Sequence, residues 1–477
     1  MKKRFVLNLI LLVVLNLLVK PFWIFGIDRT VQNRVGTTEY GMYFSLFSLS
    51  VLLNIFLDAG LTNFNNRAIS RNKNKLQVYL PNLLGVKLIL AFVYLLVCLA
   101  LGLMLQYNQR QLSLLFILCL NQFLNSLILF LRSSISGLQY YTTDSLLSVL
   151  DRLLVIIFCG LLLWTNLTGG TFRIEWFAWI QTLSYGLTAL TVFLILQHKA
   201  RRLTWHIHLS SFIRILRYSL PYATLVFLMA CYSRIDSVMI ERMLPDGKYQ
   251  AGIYAQAFRI LDAAAMAGYL FAGLLLPMFS SLLKKKEDVS SLLYLAFSLI
   301  IIPAITASLV TLLYKNPLMF LLYHHTEAAP VLGILMMAFP GFATTYIFGT
   351  LLTAAGRLKE LNLMAASVLL TNVILNLWLI PRHGALGAAI SSAFSQLCAA
   401  IIQVFMAFSL LPVIFKKNYF LKLLMLTGLL IVVSLLLSKM PLSWGKGTLL
   451  LSSFALILAV LFNLISLAGI RKTSTAL

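Results

Sequence analysis

Charge is scarce in this chain, and acid is scarcer still. Only 11% of its 477 residues are charged, and 14 acidic residues stand against 38 lysines and arginines. Soluble domains carry about 25% charged residues, so a composition that is 60% hydrophobic excludes a water-soluble globule. Cysteine is nearly absent too. Its five copies, at positions 98, 119, 159, 231 and 398, all fall in apolar stretches and read as small buried hydrophobes, not as disulfides or a metal site. The six histidines lie at loops and interfaces without the spacing of a motif such as HExxH, and there is no phosphate-binding P-loop. A nucleophile elbow with plausible triad partners is also missing. No catalytic residue, metal ligand or cofactor site is therefore assigned, and the chain reads as a transporter and not an enzyme.

What the sequence has in abundance is length of apolar run. About fourteen segments reach the roughly 20 residues that span hydrocarbon, from 5–27 at the start to 447–469 at the end. The first is longer than a signal core and lacks a cleavage site after it, so it is read as retained. A net charge of +24 would suggest nucleic acid in a soluble protein. Here the bases gather instead on alternate loops: "KKR" at 2–4, "RAISRNKNK" at 67–75, "HKARR" at 198–202, "KKKED" at 284–288, "GRLKE" at 356–360, "KKNYFLK" at 416–422 and "RK" at 471–472. That is the bias of cytoplasmic loops. It predicts an even number of spans, a multi-pass membrane protein with both termini in the cytoplasm, and no nucleic-acid partner.

No loop is long enough for a soluble domain. The longest, "HKARRLTWHIH" and its continuation to about 217, reads as an interfacial stretch whose bases meet anionic headgroups. It divides the chain into a six-helix lobe at 1–200, a cytoplasmic linker at 201–217, a second six-helix lobe at 218–413 and two extra spans, 13 and 14, at 414–477. Duplicated helical units are common in transporters. "GMY" at 41–43 and "GIY" at 252–254, opening spans 2 and 8 alike, are a faint trace of such a repeat.

Polar residues recur at helical spacing inside the spans. Asn54, Asp58, Thr62 and Asn65 make one expected face in span 2, and Asn121, Asn125, Arg132 and Ser136 another in span 4. Asn372 and Asn376 pair in span 11; Ser392, Gln396 and Gln403 align in span 12; Arg259, Asp262, Met266 and Tyr269 cluster in span 8. Small polar residues often supply hydrogen bonds between membrane helices. Stripes on several helices, joined by full charges, point instead to a shared water-filled cavity. The cations within spans are Lys20, Lys87, Arg152, Arg234 and Arg259, and the anions are Asp58, Asp151, Asp236 and Asp262. Ionised groups at membrane depth are costly and mark function. Four of the cations lie near enough to a surface to snorkel, but Arg259 is deepest. It stands three residues from Asp262, so that a salt bridge is open to it, whereas Arg234 and Asp236 are two apart and point to different faces. Guanidinium groups offer planar paired donors that suit phosphate. The expected ligand is anionic, held by Arg259 with Arg234, Lys20, Lys87 and Arg152. Asp58, Asp236 and Asp262 either bind a coupling proton or cation, or neutralise the bases. Asn54, Asn121, Asn125, Asn372 and Asn376 complete the cavity.

These residues resemble a known family, the bacterial O-antigen and capsule repeat-unit flippases of the multidrug/oligosaccharidyl-lipid/polysaccharide exporter superfamily. The resemblance runs over nearly the whole chain. It rests on Gly41, Tyr43, Asp58 and Gly60 in span 2, on Asp236, Met239, Ile240, Gly252, Tyr254, Ala257 and Arg259 in the seventh-to-eighth hairpin, and on "HGALGAAISSAFSQ" at 383–396. One departure is Glu241 and Arg242 where a glycine is expected. The resemblance implies an all-α integral membrane protein with about 14 transmembrane helices, two six-helix lobes around a central cavity, and alternating access. It implies a polyprenyl-pyrophosphate-linked oligosaccharide carried from the cytoplasmic to the outer leaflet of the bacterial inner (cytoplasmic) membrane, for surface polysaccharide such as lipopolysaccharide O-antigen. Partners would be membrane lipids and the polymerase and chain-length machinery, with the flippase itself a monomer and a proton or sodium ion as coupling ion. Spans 13 and 14 would form a groove for the lipid tail or serve packing alone. The alternatives are a multidrug exporter of the same superfamily, whose cationic substrates fit poorly with surplus arginines, and a membrane polymerase or acyltransferase.

Overall fold

The computed structural model describes residues 14–58, 60–72, 76–165, 171–200 and 209–464. The basic stretches at 2–4, 73–75, 201–202 and 471–472, and residues 201–208 of the expected linker, lie outside them.

Among the described residues the secondary structure is helical, with no strand. This is what a bilayer demands, because backbone groups in hydrocarbon must be satisfied within their own segment. Among the described residues eleven helical stretches are long and apolar enough to cross a membrane; the longest of them holds two spans, and α1 and the broken α2 stand outside the eleven. Helix α1 covers residues 14–35 and contains a π-helical stretch, Trp23–Asp28. Helix α2 is in three pieces, Thr37–Leu52, Ile55–Asp58 and Leu61–Arg71, with Gly60 at φ +88°. The next helices are α3 (Leu76–Met104), α4 (Gln109–Gly137), α5 (Tyr141–Trp164), α6 (Ile174–Ala200) and α7 (Leu209–Met243). After them come α8 (Gly247–Lys285) and α9 (Ser290–Tyr323). Helix α10 is a pair, Ala329–Met337 and Phe339–Ala354. The 53-residue stretch Leu358–Leu410 breaks at Gly384, at φ 56° and ψ −135°. A side chain is strongly disfavoured in that conformation, so this glycine separates α11 (358–383) from α12 (385–410). Helices α13 (Lys417–Ser438) and α14 (Trp444–Leu461) close the chain.

Contacts gather the chain into two compact units, Met1–Ala255 and Gln256–Leu477. The sequence-based lobes divide it earlier, at 201–217. The contact boundary falls inside α8 because α7 packs along α2. Leu61, Ile69, Leu80, Leu83, Phe130, Ile135 and Val192 form a buried apolar cluster in the first unit, from α2, α3, α4 and α6. Leu88, Ile89, Phe92 and Leu96 of α3 are exposed at helical spacing, the face expected toward lipid. In the second unit α13 and α14 dock on α9, where Gly447 leaves room for Tyr314: a Cβ there would stand 1.7 Å from the tyrosine oxygen.

Candidate functional site

The break in α2 changes the first expected polar face. A continuous helix would align Asn54, Asp58, Thr62 and Asn65; the turns at Leu53–Asn54 and Gly60 separate them. Asp58 remains with Thr62, whose hydroxyl and backbone N–H both donate to its carboxylate. Across from them the fully buried Lys87 of α3 reaches the same carboxylate at 3.1 Å and lies 5.4 Å from the centre of the Phe130 ring. A lysine with no exposed surface needs a carboxylate beside it, and Asp58 supplies one while keeping about a third of its own side chain exposed. Asn65 instead turns to α4, donating to Ser133 at 2.8 Å and Ser134 at 2.7 Å.

Several amides join helices in the same way. Asn121 donates to the Ala178 carbonyl at 3.0 Å and accepts from Thr182 at 2.6 Å, which ties α4 to α6. Gln396 donates to Thr345 at 3.0 Å and ties α12 to α10. Asn376 donates to Asn372 at 3.1 Å, with both residues buried on α11. Asn54 and Asn125 are half-buried.

The remaining charges form separate groups. In the first unit Arg152 lies over the Trp23 ring at 4.5 Å, donates to the Tyr185 hydroxyl, and stands 3.5 Å from Asp151. Lys20 is within electrostatic range of Arg152, Asp151 and Arg132, so α1 and α5 carry one basic cluster. Arg234 on α7 is half-buried. Asp236, two residues on, is fully buried and accepts from the Tyr254 hydroxyl of α8 at 2.8 Å. In the second unit Arg259 is 4% exposed, and its guanidinium stands 3.9 Å from Asp262. Thus Asp58 meets Lys87, Asp262 meets Arg259, and Arg152 and Lys20 share a neighbourhood.

Two buried acids were missed by the sequence reading. Asp28 sits at the end of the π-helical stretch with the Tyr40 hydroxyl 2.8 Å from both carboxylate oxygens and the Gln32 amide at 3.2 Å. Such π-bulges are frequent at functional sites. The apolar run ends at residue 27, one short of it, and only the continuation of α1 to Val35 reveals its depth. Glu241 accepts from Gln111 at 2.8 Å and from Arg242. Gln111 also closes the capping box of α4 with Asn108, and Arg242 donates to the Leu105 carbonyl at 2.8 Å. The Glu–Arg pair that replaces the expected glycine therefore fastens the end of α7 to the start of α4. The close approach falls at Gly247 instead, where a Cβ would lie 2.4 Å from the Glu241 carbonyl.

The repeated Gly-x-Tyr has a direct structural meaning. A Cβ on Gly41 would stand 1.9 Å from the Lys248 carbonyl oxygen, and one on Gly252 would stand 2.0 Å from that of Thr37. The two glycines are where α2 and the start of α8 meet backbone to backbone, as small residues allow in membranes. Gly387 of the span-12 motif plays a similar part, its Cβ position lying 2.3 Å from the Leu379 carbonyl.

The sequence pattern of the family described as "Polysaccharide biosynthesis protein" matches residues 6–283. No curated protein sequence matches the chain significantly. Among solved structures the fold is similar to that of the lipid II flippase MurJ in an inward closed conformation, with a TM-score of 0.71 at 13% identity over 95% of this chain and 98% of that one. It is also similar to an inward-facing multidrug resistance MATE family transporter of the MOP superfamily, with a TM-score of 0.63 at 13% identity over 81% and 94%. A MOP superfamily transporter from Pyrococcus furiosus gives 0.57 at 15% identity over 84% and 93%. At these identities the likeness is one of fold.

Proposed function

Because the chain belongs to the polysaccharide biosynthesis protein family and has the fold of MOP superfamily transporters, we propose that it flips polyprenyl-pyrophosphate-linked oligosaccharide repeat units across the inner membrane. In this reading the lobes alternate in access. The pyrophosphate is held by cations, the sugars by hydrogen-bonding side chains, and the polyprenyl tail stays in lipid.

The observation that carries the reading is Arg259. It lies twelve residues along the 39-residue α8 from Gly247, about 18 Å at 1.5 Å per residue. It is almost wholly buried, yet its ion pair with Asp262 stands at 3.9 Å, longer than the roughly 2.7–2.9 Å of a tight charge-assisted bond. A buried guanidinium beside a carboxylate is suited to offering its planar donors to a pyrophosphate oxygen. Lysine would substitute poorly, since it lacks the planar fork.

The test is Arg259→Lys and Arg259→Ala in a strain that depends on this protein. Both are expected to insert at normal abundance and to stop surface polysaccharide, with lipid-linked repeat units accumulating on the cytoplasmic leaflet. Wild-type polysaccharide from Arg259→Ala would overturn the proposal. Recovery of activity in the double change Arg259→Ala, Asp262→Ala would assign the pair to helix packing.

A further inference from the structure

The second unit carries a basic pocket away from Arg259, at the membrane edge where α9 and α13 begin and α14 ends. Its volume is about 630 Å³, and its lining includes Lys416, Lys417, Lys422, Tyr294, Leu295 and Leu464. Three features of it point to one ligand chemistry.

First, the positive charge is concentrated and little neutralised. Among the described residues none of the three lysines has a carboxylate within 4.0 Å. Asp288 lies within electrostatic range of Lys416. Its carboxylate accepts from the Ser290 backbone N–H at 2.9 Å, and the backbone and hydroxyl of Ser290 hold its pKa below the usual carboxylate value. The lysines also stand at the start of a 22-residue helix, where the unpaired N–H groups and the helix dipole favour an anion.

Second, the frame is built without a ligand. The buried Tyr294 hydroxyl donates to the Ile414 carbonyl at 2.7 Å and accepts from the Lys416 N–H at 2.9 Å. Ser290 accepts from the Ile414 N–H at 3.0 Å, and Ser298 bonds Tyr419 at 2.7 Å. The Lys416 ammonium lies 5.3 Å from the centre of the Tyr294 ring, while Phe415 stacks on Phe420. The chain leading into α13 is thus fixed to α9 through both backbone and rings.

Third, the helix that carries Lys422 also carries exposed apolar residues within a turn of it. Leu421, Leu424 and Met425 of α13 are 52%, 69% and 51% exposed, a surface suited to an acyl chain. A free phosphate would use the lysines and ignore these residues.

We propose that this pocket is a binding site for the phosphodiester headgroup of an anionic membrane phospholipid. Lys416, Lys417 and Lys422 hold the phosphate, and the exposed face of α13 takes the acyl chain.

The test uses the purified full chain in detergent, with retained lipid measured by native mass spectrometry against phosphatidylglycerol and phosphatidylcholine. Wild type should prefer phosphatidylglycerol. Lys422→Gln should reduce that preference about fivefold, and the triple change K416Q/K417Q/K422Q should abolish it, in keeping with the usual contribution of each base near an anionic surface. Neutralising the other basic loop, K284Q/K285Q/K286Q, should leave the preference intact. Should the triple variant fail to fold, Lys422→Gln still reads the site. An undiminished preference in Lys422→Gln, or an equal loss in the loop control, would overturn the proposal. Stabilisation of wild type by inorganic phosphate alone, equal to that by phosphatidylglycerol, would assign the pocket to soluble phosphate and overturn the lipid assignment.

Discussion

The openings of α2 and α8 share a glycine and a tyrosine at the same spacing, and the structure uses them alike in one respect and differently in another. Gly41 and Gly252 both surrender a side chain so that the two backbones can meet. The tyrosines two residues on then diverge. Tyr43 accepts from the amide of Gln181 on α6 at 3.0 Å, whereas Tyr254 donates to the buried carboxylate of Asp236 at 2.8 Å. The repeated glycine is thus a requirement of backbone geometry, and the tyrosine is a shared anchor that has taken a neutral partner in one place and a charged one in the other. Similarity of motif marks common packing without common electrostatics.

The largest effect is expected from the glycines. A methyl at Gly252 would fall 2.0 Å from a carbonyl oxygen, which only backbone movement can relieve. Gly252→Ala should cost about 3 kcal/mol, the upper part of the usual range for overpacking, read as a lower unfolding temperature of the purified protein. Gly41→Ala should behave the same way. Gly273, which has nothing within 4 Å of its Cβ position, provides the contrast: alanine there should be neutral or slightly stabilising, as in any helix interior. If α2 and α8 part during transport, Gly252→Ala should also increase labelling of a Thr37→Cys probe by an impermeant thiol reagent in a cysteine-free background. A Gly252→Ala protein as stable as Gly273→Ala would show that the crossing is loose.

The next effect concerns a charge pair that, unlike Asp236 and Tyr254, joins two ionised groups. Removing the carboxylate by Asp58→Asn leaves Lys87 buried without its counter-charge. Breaking a fully buried pair costs about 3–5 kcal/mol; with Asp58 32% exposed, about 2 kcal/mol is expected. Asp58→Asn should therefore lower abundance, and the double change Asp58→Asn, Lys87→Met should restore most of it. Normal abundance with an altered response to pH or sodium would instead assign Asp58 to ion coupling.

Much of the helical architecture could be read from the sequence because a bilayer makes hydropathy nearly sufficient: length sets the spans. The side-chain partners could not be read so directly. Ideal helical spacing put Asn54 and Asn65 on one face with Asp58, but helical spacing cannot foresee a break at Gly60, which sends Asn65 to Ser133 and Ser134. Asn121 and Gln396 carry the same polarity as a cavity residue, and only tertiary contact shows them bonding to Ala178 and Thr345. Asp28 was hidden because it follows the apolar run by one residue. Arg259 with Asp262 was visible because i, i+3 proximity on a helix survives any tertiary arrangement.

The last comparison returns to the two tyrosines, the smallest effect being that of Tyr43. Removing a hydroxyl that serves a charged group costs about 1.5–3 kcal/mol, against about 1 kcal/mol for a neutral pair. Tyr254→Phe should thus destabilise by about 2 kcal/mol and Tyr43→Phe by about 1 kcal/mol. The two single changes, with Asp236→Asn and Gln181→Leu as their partners in double-mutant cycles, separate the bonds from the loss of the hydroxyls. A coupling energy for Tyr254 with Asp236 larger than that for Tyr43 with Gln181 is expected, because a buried carboxylate left short of a donor is the more costly outcome. Equal coupling would mean that Asp236 is as well satisfied without Tyr254 as with it. The distinction drawn between the two openings would then reduce to the glycines alone.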